Sequence, residues 1–414
     1  MSVAPTYPPL SFRADSSAPE LTPAAPRVRP RLASERPAES LPIIAFCHLS
    51  WDGVWQRPQQ LLSRLAARRP VLFVETYCSD VAAALTRVQS PPGHPQVTVL
   101  QMHLPQSRWA DGAFIDCERR RLLLEFLAQA PLYEDPVLWF NDPMAVTAFA
   151  GHCNESAIVY DCMDELSQFK GAPAQLPERE RDLLRHADIV FCGGRKMRDK
   201  RLPLNPNSHF YGTGVDCDHF GRARSHEVAI PPDILALSGP VLGYFGVVDE
   251  RIDYELLARL ADALPRCSVA IVGPTAKVDP DAFPRRGNLH WLGRRDYADL
   301  PAITKRFSAC LMPFALNAAT EFINPTKALE YMAAGKPVVS TAIDEVRTNF
   351  SAVCLIARDH DEFIAHCRRA VQYPDQDRIE AGLDLASRNT WERITAEMDA
   401  HIVVAIGSRR RAHV

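Results

Sequence analysis

The chain of 414 residues lacks several features that would assign it to a specialised class of protein. No apolar run approaches the roughly 18 residues that a membrane-spanning helix needs. No charged start followed by an apolar core indicates a secretory signal. The formal net charge is only −3, so the composition gives no sign of binding to nucleic acid. Together with 47% hydrophobic and 23% charged residues, these absences predict a globular, cytoplasmic protein.

The sequence also lacks the cysteine pairs and motifs that mark several common classes of enzyme and metal site. The 11 cysteines include no C-x-x-C pair, and Cys47, Cys192 and Cys310 lie inside apolar, strand-like runs. Buried free thiols in a reducing compartment therefore fit better than a disulfide framework or a zinc site. The sequence also has no P-loop lysine motif, no G-x-S-x-G elbow and no H-E-x-x-H pair, so the usual signatures of P-loop NTPases, α/β-hydrolases and zinc proteases are missing.

What is present predicts two folded units. Residues 1–40 are rich in Pro, Ala, Ser and Arg without apolar periodicity, which predicts a disordered tail. Apolar runs then alternate with helical periods, as in a mostly parallel sheet covered on both faces. A polar break at 216–238 interrupts this series. We therefore predict an α/β protein with a first domain at 41–215, a linker, a second domain at 239–390 and a final helix within 391–414.

Ligands of doubly wound sheets bind at the carboxyl ends of the strands, so residues that carry chemistry should follow strands. The predicted strands are Ile43–His48, Val71–Glu75, Val97–Met102, Val137–Phe140, Ala157–Tyr160 and Ile189–Cys192 in the first unit, and Val241–Phe245, Val269–Val272, Leu289–Leu292, Ala309–Met312, Val338–Ser340 and Cys354–Ile356 in the second.

The most informative stretch begins at Asn324 and predicts a loop, a short helix, a turn and a buried strand. Asn324 can cap the helix and Pro325 suits its first position, so the amides of the first turn near Thr326 would attract phosphate. Lys327 and Glu330 share a helix face. The lysine would neutralise phosphate charge, and the glutamate would accept hydrogen bonds from ribose hydroxyls. An ordinary capped helix with a surface ion pair explains the segment alone equally well.

Three residues at other strand ends could approach the same anion. Gly246 would let a ligand come close to the backbone, and Arg251 could clamp a diphosphate through two N–H groups. Lys277 follows a further strand end. Each is better explained alone as part of an ordinary turn, but their convergence on one rim favours a nucleotide site.

The loop after the first predicted strand contains Trp51, Trp55 and Arg57. Indole faces pack well against sugar rings and equally well against protein. Arg57 stands at a helix start, where anions are favoured. These three residues are therefore candidates for binding an acceptor.

Two residues are candidates for a general base. Asp161 directly follows a buried run, and a carboxylate in a cleft could act on a sugar hydroxyl; His48 is the second choice. We assign Asp164 instead as the cap of the next element. The Asp216-Cys-Asp218 pattern is typical of a metal-bound sugar nucleotide, but it lies in the linker, away from the predicted rim, and we expect no metal site.

These motifs resemble the GT-B nucleotide-sugar glycosyltransferases, in particular the group 1 family. The resemblance rests on Gly243-Tyr-Phe-Gly246, Val272-Gly-Pro274, Leu292-Gly293, Met312-Pro-Phe314 and the segment from Pro325 to Val338. The segments from Trp55 to Gln59 and from Val159 to Glu165 are similar to a bacterial subgroup associated with surface and exopolysaccharide synthesis. The stretch from Gly214 to Phe220 is similar to the family's connection between domains.

The resemblance implies two Rossmann-like domains facing a cleft, with an acceptor half, a donor half and a final helix that crosses back to the first domain. It implies catalysis without a bound metal or cofactor, and it gives Glu330 the role of holding the donor ribose. A further family glutamate falls here on Phe322, with Glu321 displaced by one residue. A sugar contact by Glu321 and the stereochemical outcome therefore stay open.

The sequence thus predicts a glycosyltransferase that moves a sugar from a nucleoside-diphosphate sugar to a saccharide or lipid-linked saccharide, with peripheral contact at the inner face of a membrane. One alternative is a GT-B sugar-nucleotide epimerase, which would need donor but no acceptor. Another is a nucleotide-sugar-binding protein without turnover, which the displaced glutamate keeps open.

Overall fold

Two parallel sheets, each covered by helices, form the part of the chain that the computed structural model describes. That part comprises residues 36–169, 171–276, 278–317, 320, 323 and 325–412. The predicted α/β class and the two doubly wound units are confirmed. The predicted tail, residues 1–40, lies almost entirely outside the described residues, but Ala38–Ser40 forms a 3-10 turn rather than belonging to such a tail.

The first sheet has eight strands in the order β3-β4-β2-β1-β5-β6-β7-β8. The strands are β1 (Ile43–Phe46), β2 (Val71–Ser79), β3 (Leu85–Gln89), β4 (Val97–Pro105), β5 (Val137–Phe140), β6 (Ala157–Cys162), β7 (Ile189–Cys192) and β8 (Ser208–Phe210). All neighbours pair in parallel except β3, which runs antiparallel to β4. The helices are α1 (Arg57–Leu65), α2 (Gly112–Leu127), α3 (Val146–Phe149), α4 (Leu176–His186) and α5 (Arg195–Arg201).

Burial on both faces explains why these strands read as continuous apolar runs. Along β1, Ile44 and Phe46 belong to one hydrophobic cluster, whereas Ile43 and Ala45 belong to another on the opposite face. Side chains alternate between the faces of a strand, so a sheet covered on both sides requires apolar residues at successive positions.

The second sheet has six parallel strands in the order β11-β10-β9-β12-β13-β14. The strands are β9 (Val241–Phe245), β10 (Ser268–Val272), β11 (Leu289–Trp291), β12 (Phe307–Met312), β13 (Val338–Thr341) and β14 (Leu355–Ala357). Two short helices, α6 (Cys217–Gly221) and α7 (Pro232–Leu235), lie between β8 and β9 in the sequence. The later helices are α8 (Tyr254–Ala263), α9 (Leu300–Lys305), α10 (Lys327–Ala333), α11 (Asp344–Phe350), α12 (His360–Gln372), α13 (Gln376–Arg388) and α14 (Trp391–Ala412).

The segment 216–238 is not a bare linker. It contains α6 and α7, and its residues Phe220, Ile234 and Leu237 belong to the hydrophobic core of the second sheet. This stretch was read as a break because its few apolar residues are spaced among prolines and polar residues. Helix α14 packs on the first sheet, where Trp391, Met398 and Ile402 are buried.

The predicted burial of the three cysteines in apolar runs is confirmed. All 11 cysteines are free thiols, and Cys47, Cys192 and Cys310 are buried. Burial raises the pKa of such thiols, as for Cys153, whose pKa is about 12. No helix in the described part of the chain has the length and apolar character to cross a bilayer.

Candidate functional site

The topology of each sheet creates a crevice at one strand. In the second sheet, β9 lies between β10 and β12, and in the first sheet β1 lies between β2 and β5. Because the chain winds in opposite directions from these strands, the loops at their carboxyl ends separate and leave room for a ligand.

A cavity that is open to solvent lies between the two lobes at these crevices. Residues of the first lobe and of the final helix line it, namely Gln56, Arg57, Met163, Asp164, Gly193, Thr213 and Trp391. Residues of the second lobe complete it, namely Tyr244, Arg251, Phe314, Ile323, Pro325, Thr326 and Lys327. The start of α10 therefore faces the gap between the lobes.

Helix α10 presents its first turn to this cavity. Thr326 occupies the cap position without a side-chain cap bond, and the amides of Leu329 and Glu330 bond back to its carbonyl at 3.1 and 3.2 Å. No described group accepts a hydrogen bond from the amides of Thr326 and Lys327. Asn324, which was predicted to cap this helix, lies outside the described residues, as does Lys277.

Lys327 points its ammonium group into a largely desolvated position. Its Nζ lies 5.7 Å from the centroid of the Tyr244 ring, and it forms no hydrogen bond or ion pair with a described residue. Burial lowers its pKa, and the nearby Glu330 opposes that shift. An unpaired cation at a cavity wall attracts an anionic ligand, because the ligand would supply the missing counter-charge.

Gly246 makes room for this lysine. The residue has φ 143°, and a Cβ built there would lie 2.1 Å from Cε of Lys327. The prediction that Gly246 lets a ligand approach the backbone stays a prediction. The glycine makes room for the lysine side chain, which in turn reaches the cavity.

Arg251 is held in place before any ligand arrives. Its Nε and Nη2 donate to the Asp249 carboxylate at 3.0 and 2.7 Å. The guanidinium lines the cavity on the same side as Lys327. Asp249, which the sequence did not single out, therefore fixes the direction of the arginine and leaves its remaining N–H groups for a ligand.

Glu330 lies one turn further along α10 and does not line the cavity. It is half-buried, and burial raises its pKa to about 7, opposed by Lys327. No described residue donates a hydrogen bond to its carboxylate. A desolvated acceptor of this kind is suited to the paired hydroxyl groups of a ribose.

In the first lobe, the structure corrects the role of Asp161. Its side chain is fully buried. Nε and Nη2 of Arg57 donate to it at 2.9 and 2.8 Å, and Asn141 Nδ2 donates at 3.0 Å. A carboxylate enclosed and paired in this way has no access to a substrate hydroxyl, which is incompatible with the predicted role as a base.

Arg57 and Trp51 are also structural. Nη1 of Arg57 donates to the carbonyls of Tyr211 and Gly212, both at 2.9 Å, so all its donor nitrogens are engaged within the protein although it lines the cavity. Trp51 is only 3% exposed, and the rings of Trp55, Phe73 and His94 contact it edge-on. Neither residue is therefore available to bind an acceptor as predicted.

The predicted roles of Trp55 in binding an acceptor and of His48 as a base stay predictions. Trp55 is half-buried and stacks one face on His94, with ring centroids 5.4 Å apart. His48 is half-buried in the loop after β1. Neither residue is among those that line the cavity.

Asp164 is the residue whose role the sequence reading missed. The 3-10 turn that follows is Leu166–Gln168, with Glu165 at its cap position and no side-chain cap, so Asp164 is not the predicted cap. Its side chain instead lines the cavity. Burial raises its pKa to about 6, opposed first by Arg251 and then by Arg57. The signal was present in the Asp161–Glu165 motif, but the sequence did not show which carboxylate was accessible.

The Asp-x-Asp motif has a structural explanation. Asp216 caps α6 by accepting a hydrogen bond from the His219 amide at 2.9 Å, and its carboxylate also contacts Arg64. Among the described residues there is no cluster of three or more His, Cys, Asp or Glu side chains that could hold a metal ion.

Comparison with known proteins agrees with this geometry. Residues 239–372, which contain β9 to β14 and the start of α10, match the family model described as "Glycosyl transferases group 1". The chain is 25% identical over 378 residues to TuaH of Bacillus subtilis (strain 168), which is named as a teichuronic acid biosynthesis glycosyltransferase. The match covers 84% of this chain and 93% of that protein.

The chain therefore has the GT-B fold, with a group 1 glycosyltransferase domain at residues 239–372. Its fold matches sucrose-phosphate synthase from Thermosynechococcus elongatus with a TM-score of 0.65 at 15% identity, covering 89% of this chain and all of that one. It also matches the E. coli trehalose-6-phosphate protein bound with UDP-2-fluoro glucose, with a TM-score of 0.64 at 13% identity, covering 87% of this chain and 98% of that one. At such identities these two structures establish the fold of the glycosyltransferase, and its activity rests on the family match and on TuaH.

Proposed function

We propose that this glycosyltransferase binds the diphosphate of a nucleoside-diphosphate sugar at the start of α10 and transfers the sugar to a saccharide or lipid-linked saccharide. The observation that carries the proposal is the position of Lys327. Its ammonium group and the amides of Thr326 and Lys327 bond to no described group, and both residues line the cavity between the lobes. Arg251 lines the same wall, so two cations would face a bound diphosphate.

The two cations would act mainly in the transition state. When the bond between the anomeric carbon and the diphosphate breaks, negative charge accumulates on the departing oxygen. Groups fixed in advance near that oxygen stabilise the charge without further reorganisation. The ion pair with Asp249 fixes Arg251 in this way, and Gly246 provides the space that fixes Lys327.

We assign the nucleoside side of the donor to Glu330. It is one turn along α10 from Lys327, which is the spacing expected between a diphosphate and the ribose attached to it. Tyr297 is close enough for Glu330 to affect its pKa, and its hydroxyl accepts a hydrogen bond from Gln60 at 3.2 Å. The donor would therefore contact a tyrosine that also touches the first lobe.

We propose catalysis without a bound metal or cofactor, because two side-chain cations already supply the charge that the diphosphate requires. Lys277 and Asn324 belong to the same proposal from sequence alone. Trp55 and His48 stay candidates for contact with the acceptor, which would enter from the first lobe.

The relatives support the substrate classes. The E. coli structure holds a UDP sugar, and TuaH is named for teichuronic acid biosynthesis. We therefore propose a growing surface or exopolysaccharide chain as acceptor, reached from the cytoplasm by peripheral contact with the membrane. Recovery of the protein entirely in the soluble fraction, with acceptor membranes present, would argue against that contact.

A thermal-shift titration with UDP, GDP and ADP tests the donor site. A nucleotide that binds only the folded state raises the melting temperature. Lys327→Met and Glu330→Gln each remove a charge-assisted contact of about 1.5–3 kcal/mol, so we expect each to weaken binding by roughly 10- to 150-fold. Lys200→Met and Glu380→Gln are matched exposed controls, and we expect them to bind the nucleotide like the unsubstituted protein.

The proposal fails if none of the three nucleotides shifts the melting temperature, or if both site variants bind as tightly as the controls. The comparisons give no support to a GT-B epimerase or to a binding protein without turnover. Incubation with donor alone separates the epimerase from the transferase, since only an epimerase would convert the donor to an isomeric sugar nucleotide.

A further inference from the structure

Three carboxylates follow one another closely after β6, and the protein itself occupies two of them. Asp161 is paired with Arg57. Glu165 is 9% exposed and accepts hydrogen bonds from Nη1 and Nη2 of Arg201 at 3.0 and 3.2 Å. Asp164, between them, lines the cavity and forms no side-chain hydrogen bond or ion pair with any described residue. It is therefore the carboxylate of this motif that is left for a ligand.

The backbone beside Asp164 is held in place. Gly193, which directly follows β7, donates its amide to the Cys162 carbonyl at 2.9 Å. A Cβ on Gly193 would lie 2.7 Å from the carbonyl oxygen of Met163, so a larger residue would push this loop away from β7. Since Cys162 and Met163 directly precede Asp164, its carboxylate reaches the cavity from a fixed position.

The wall of the cavity that belongs to the first lobe offers a ligand one charge that no described residue engages, and that charge is negative. The two charged side chains of this wall are Arg57 and Asp164, and every donor nitrogen of Arg57 is bonded within the protein. The hydroxyl of Thr213 donates to the adjacent carbonyl of Gly214 at 3.2 Å. A carboxylate accepts hydrogen bonds from hydroxyl groups and repels a second anion. The wall is therefore suited to a neutral, hydroxylated ligand.

The sugar of a bound donor would lie between Asp164 and the two cations of the second lobe. Arg251 and Lys327 line the same cavity, and both charges act on the Asp164 carboxylate. In the proposed site these cations face the diphosphate, and Glu330, which does not line the cavity, holds the ribose. Because the nucleoside and the sugar are attached to opposite ends of the diphosphate, the sugar end faces the cavity and Asp164.

We propose that Asp164 is a specificity-determining residue, whose carboxylate accepts hydrogen bonds from hydroxyl groups of the transferred sugar and rejects a sugar that carries a carboxylate of its own. This inference rests on the proposed function and names its donor as a nucleoside-diphosphate hexose rather than a hexuronate. A hexose has a hydroxyl group at C6, where a hexuronate has an ionised carboxylate. The two like charges would share a desolvated gap, in which their repulsion is stronger than in water.

The ionisation of Asp164 sets the pH range of this selection. Burial raises its pKa to about 6, Asp249 adds to that rise, and Arg251, Arg57 and Lys327 oppose it. Above that pH the carboxylate is ionised and repels a hexuronate. Below that pH the carboxyl group is neutral and can donate a hydrogen bond to the same anion. The preference for the hexose should therefore shrink as the pH falls through about 6.

Calorimetry with matched donors tests the selection. UDP-glucose, GDP-mannose and ADP-glucose are each compared at pH 7.5 with the hexuronate made from it by oxidation at C6, so that the two members of a pair differ only at that carbon. For the pair whose nucleotide binds, we expect the unsubstituted protein to bind the hexose about 10-fold or more tightly than the hexuronate. Equal affinities would overturn the proposal.

Asp164→Asn separates the charge of the side chain from its shape. The amide has the same size and no charge, so the preference for the hexose should fall to about threefold or less, mainly because the hexuronate binds more tightly. Asp199→Asn on α5 is the matched control, since Asp199 is exposed, and it should keep the full preference. If Asp164→Asn keeps that preference too, the shape of the site rejects the hexuronate and the proposal is wrong.

The unsubstituted protein supplies an arm that does not depend on the folding of a variant. The ratio of the two affinities is measured at pH 7.5 and at pH 5. Protonation of Glu330 weakens the binding of both donors alike and cancels in the ratio, whereas protonation of Asp164 removes the repulsion of the hexuronate alone. We expect the ratio to fall to about threefold or less at pH 5, and a ratio that does not change between the two pH values would refute the role of Asp164.

The two proposals fail in different ways. If neither a nucleotide nor a nucleotide sugar binds to the unsubstituted protein, the donor site is wrong. If the hexose binds and the hexuronate binds equally well, the donor site stands and the role of Asp164 is wrong.

Discussion

At the scale of the residue, the candidate site contains ionisable side chains, Lys327 and Glu330 among them, that have no hydrogen-bond partner among the described residues. For Glu330, the lack of partners destabilises the charged side chain but leaves its oxygens available to a ligand. Its pKa of about 7 lies above the usual value because of burial, so the charged form is destabilising in the empty site. The same lack of hydrogen-bond donors makes it a strong acceptor for ribose hydroxyls, which replace the lost water.

We predict that Glu330→Gln stabilises the empty protein and weakens donor binding. Since the folded pKa exceeds the unfolded one, the ionised carboxylate destabilises the fold as pH rises through about 7. Its removal should therefore add about 1–3 kcal/mol to the free energy of unfolding at pH 8 and less at pH 6. Urea titrations at the two pH values measure this difference.

As pH rises, the affinity for the donor should increase, whereas the stability of the empty protein should decrease. As pH falls from 8 to 6, Glu330 takes up a proton and loses the charge that binds the ribose, so binding of the nucleotide sugar should weaken. Calorimetry with an intact nucleotide sugar measures this, because its bridged diphosphate does not titrate in that range. An equal pH dependence in Glu330→Gln would show that another group is responsible.

The residue roles that sequence could not assign depend on partners far along the chain. Lys327 and Glu330 could be proposed together because their spacing on one helix is a local property. Asp161 and Asp164 are separated by only two residues, and their roles are decided by Arg57, which is 104 positions from Asp161. No local pattern shows that the first carboxylate is paired and the second is not.

At the scale of the element, α14 follows the second lobe in the chain and packs back against the first lobe. It begins at Trp391, which lines the cavity, and it packs on α1 and the first sheet. Its buried anchor is the ion pair between Arg69 and Asp399, with Nη2 and Oδ1 2.7 Å apart and side-chain exposures of 0% and 6%. The adjacent Arg68 contacts the same carboxylate at 3.7 Å, but its side chain is 67% exposed.

We predict very different costs for removing these two arginines. Arg69→Ala leaves Asp399 buried without its counter-charge, and it also removes hydrogen bonds to the carbonyls of Ala38 and Leu41. We expect a loss of about 3–5 kcal/mol in the free energy of unfolding. Arg68→Ala removes a solvent-screened contact and should cost less than about 1 kcal/mol. Urea unfolding of both variants measures the costs, and equal losses would contradict the buried anchor.

Most elements could be predicted because the apolar pattern of a covered parallel sheet is strong. The strands Val137–Phe140, Ile189–Cys192 and Val241–Phe245 agree with the structure at both ends. The missed strand β3 is an exposed edge with Val88 at 54% exposure, so it has no apolar run. The missed β8 has three residues, too few for any periodicity. Tertiary pairing defines both strands.

At the scale of the whole molecule, the contacts that hold the lobes around the cavity include the Gln60–Tyr297 hydrogen bond and two larger sets. One is the crossing of the chain, where the amide of Val215 donates to the Asn389 carbonyl at 2.9 Å and the amide of Trp391 donates back to Val215 at 3.2 Å. The other joins α5 of the first lobe to α11 of the second. There Glu345, only 2% exposed, accepts hydrogen bonds from the amides of Arg195 and Lys196 at 2.7 and 3.4 Å.

Helix α5 has no side-chain cap from its own chain segment, since Gly194 occupies the cap position. Glu345 supplies the missing acceptor from the opposite lobe through Oε1. Opening the lobes therefore leaves the start of α5 uncapped and Oε1 without these donors, while Asn349 Nδ2 still donates to Oε2 at 3.0 Å. Lys196 and Asp344 form a further ion pair beside it, with both side chains 41% exposed. The buried contact should therefore contribute more to closure than the exposed pair.

We predict that Glu345→Ala opens the molecule and that Asp344→Ala hardly does. Loss of the buried charge-assisted bonds should shift the balance between closed and open lobes by about 1–3 kcal/mol, whereas loss of the exposed pair should shift it by less than about 1 kcal/mol. Small-angle scattering should then give a larger radius of gyration for unliganded Glu345→Ala than for either the unsubstituted protein or Asp344→Ala. Saturating nucleotide sugar, which in the proposed site would contact both lobes, should restore the closed value, because a ligand that binds the closed form shifts the population towards it. Equal radii for the two variants would mean that the contact between α5 and α11 does not control closure.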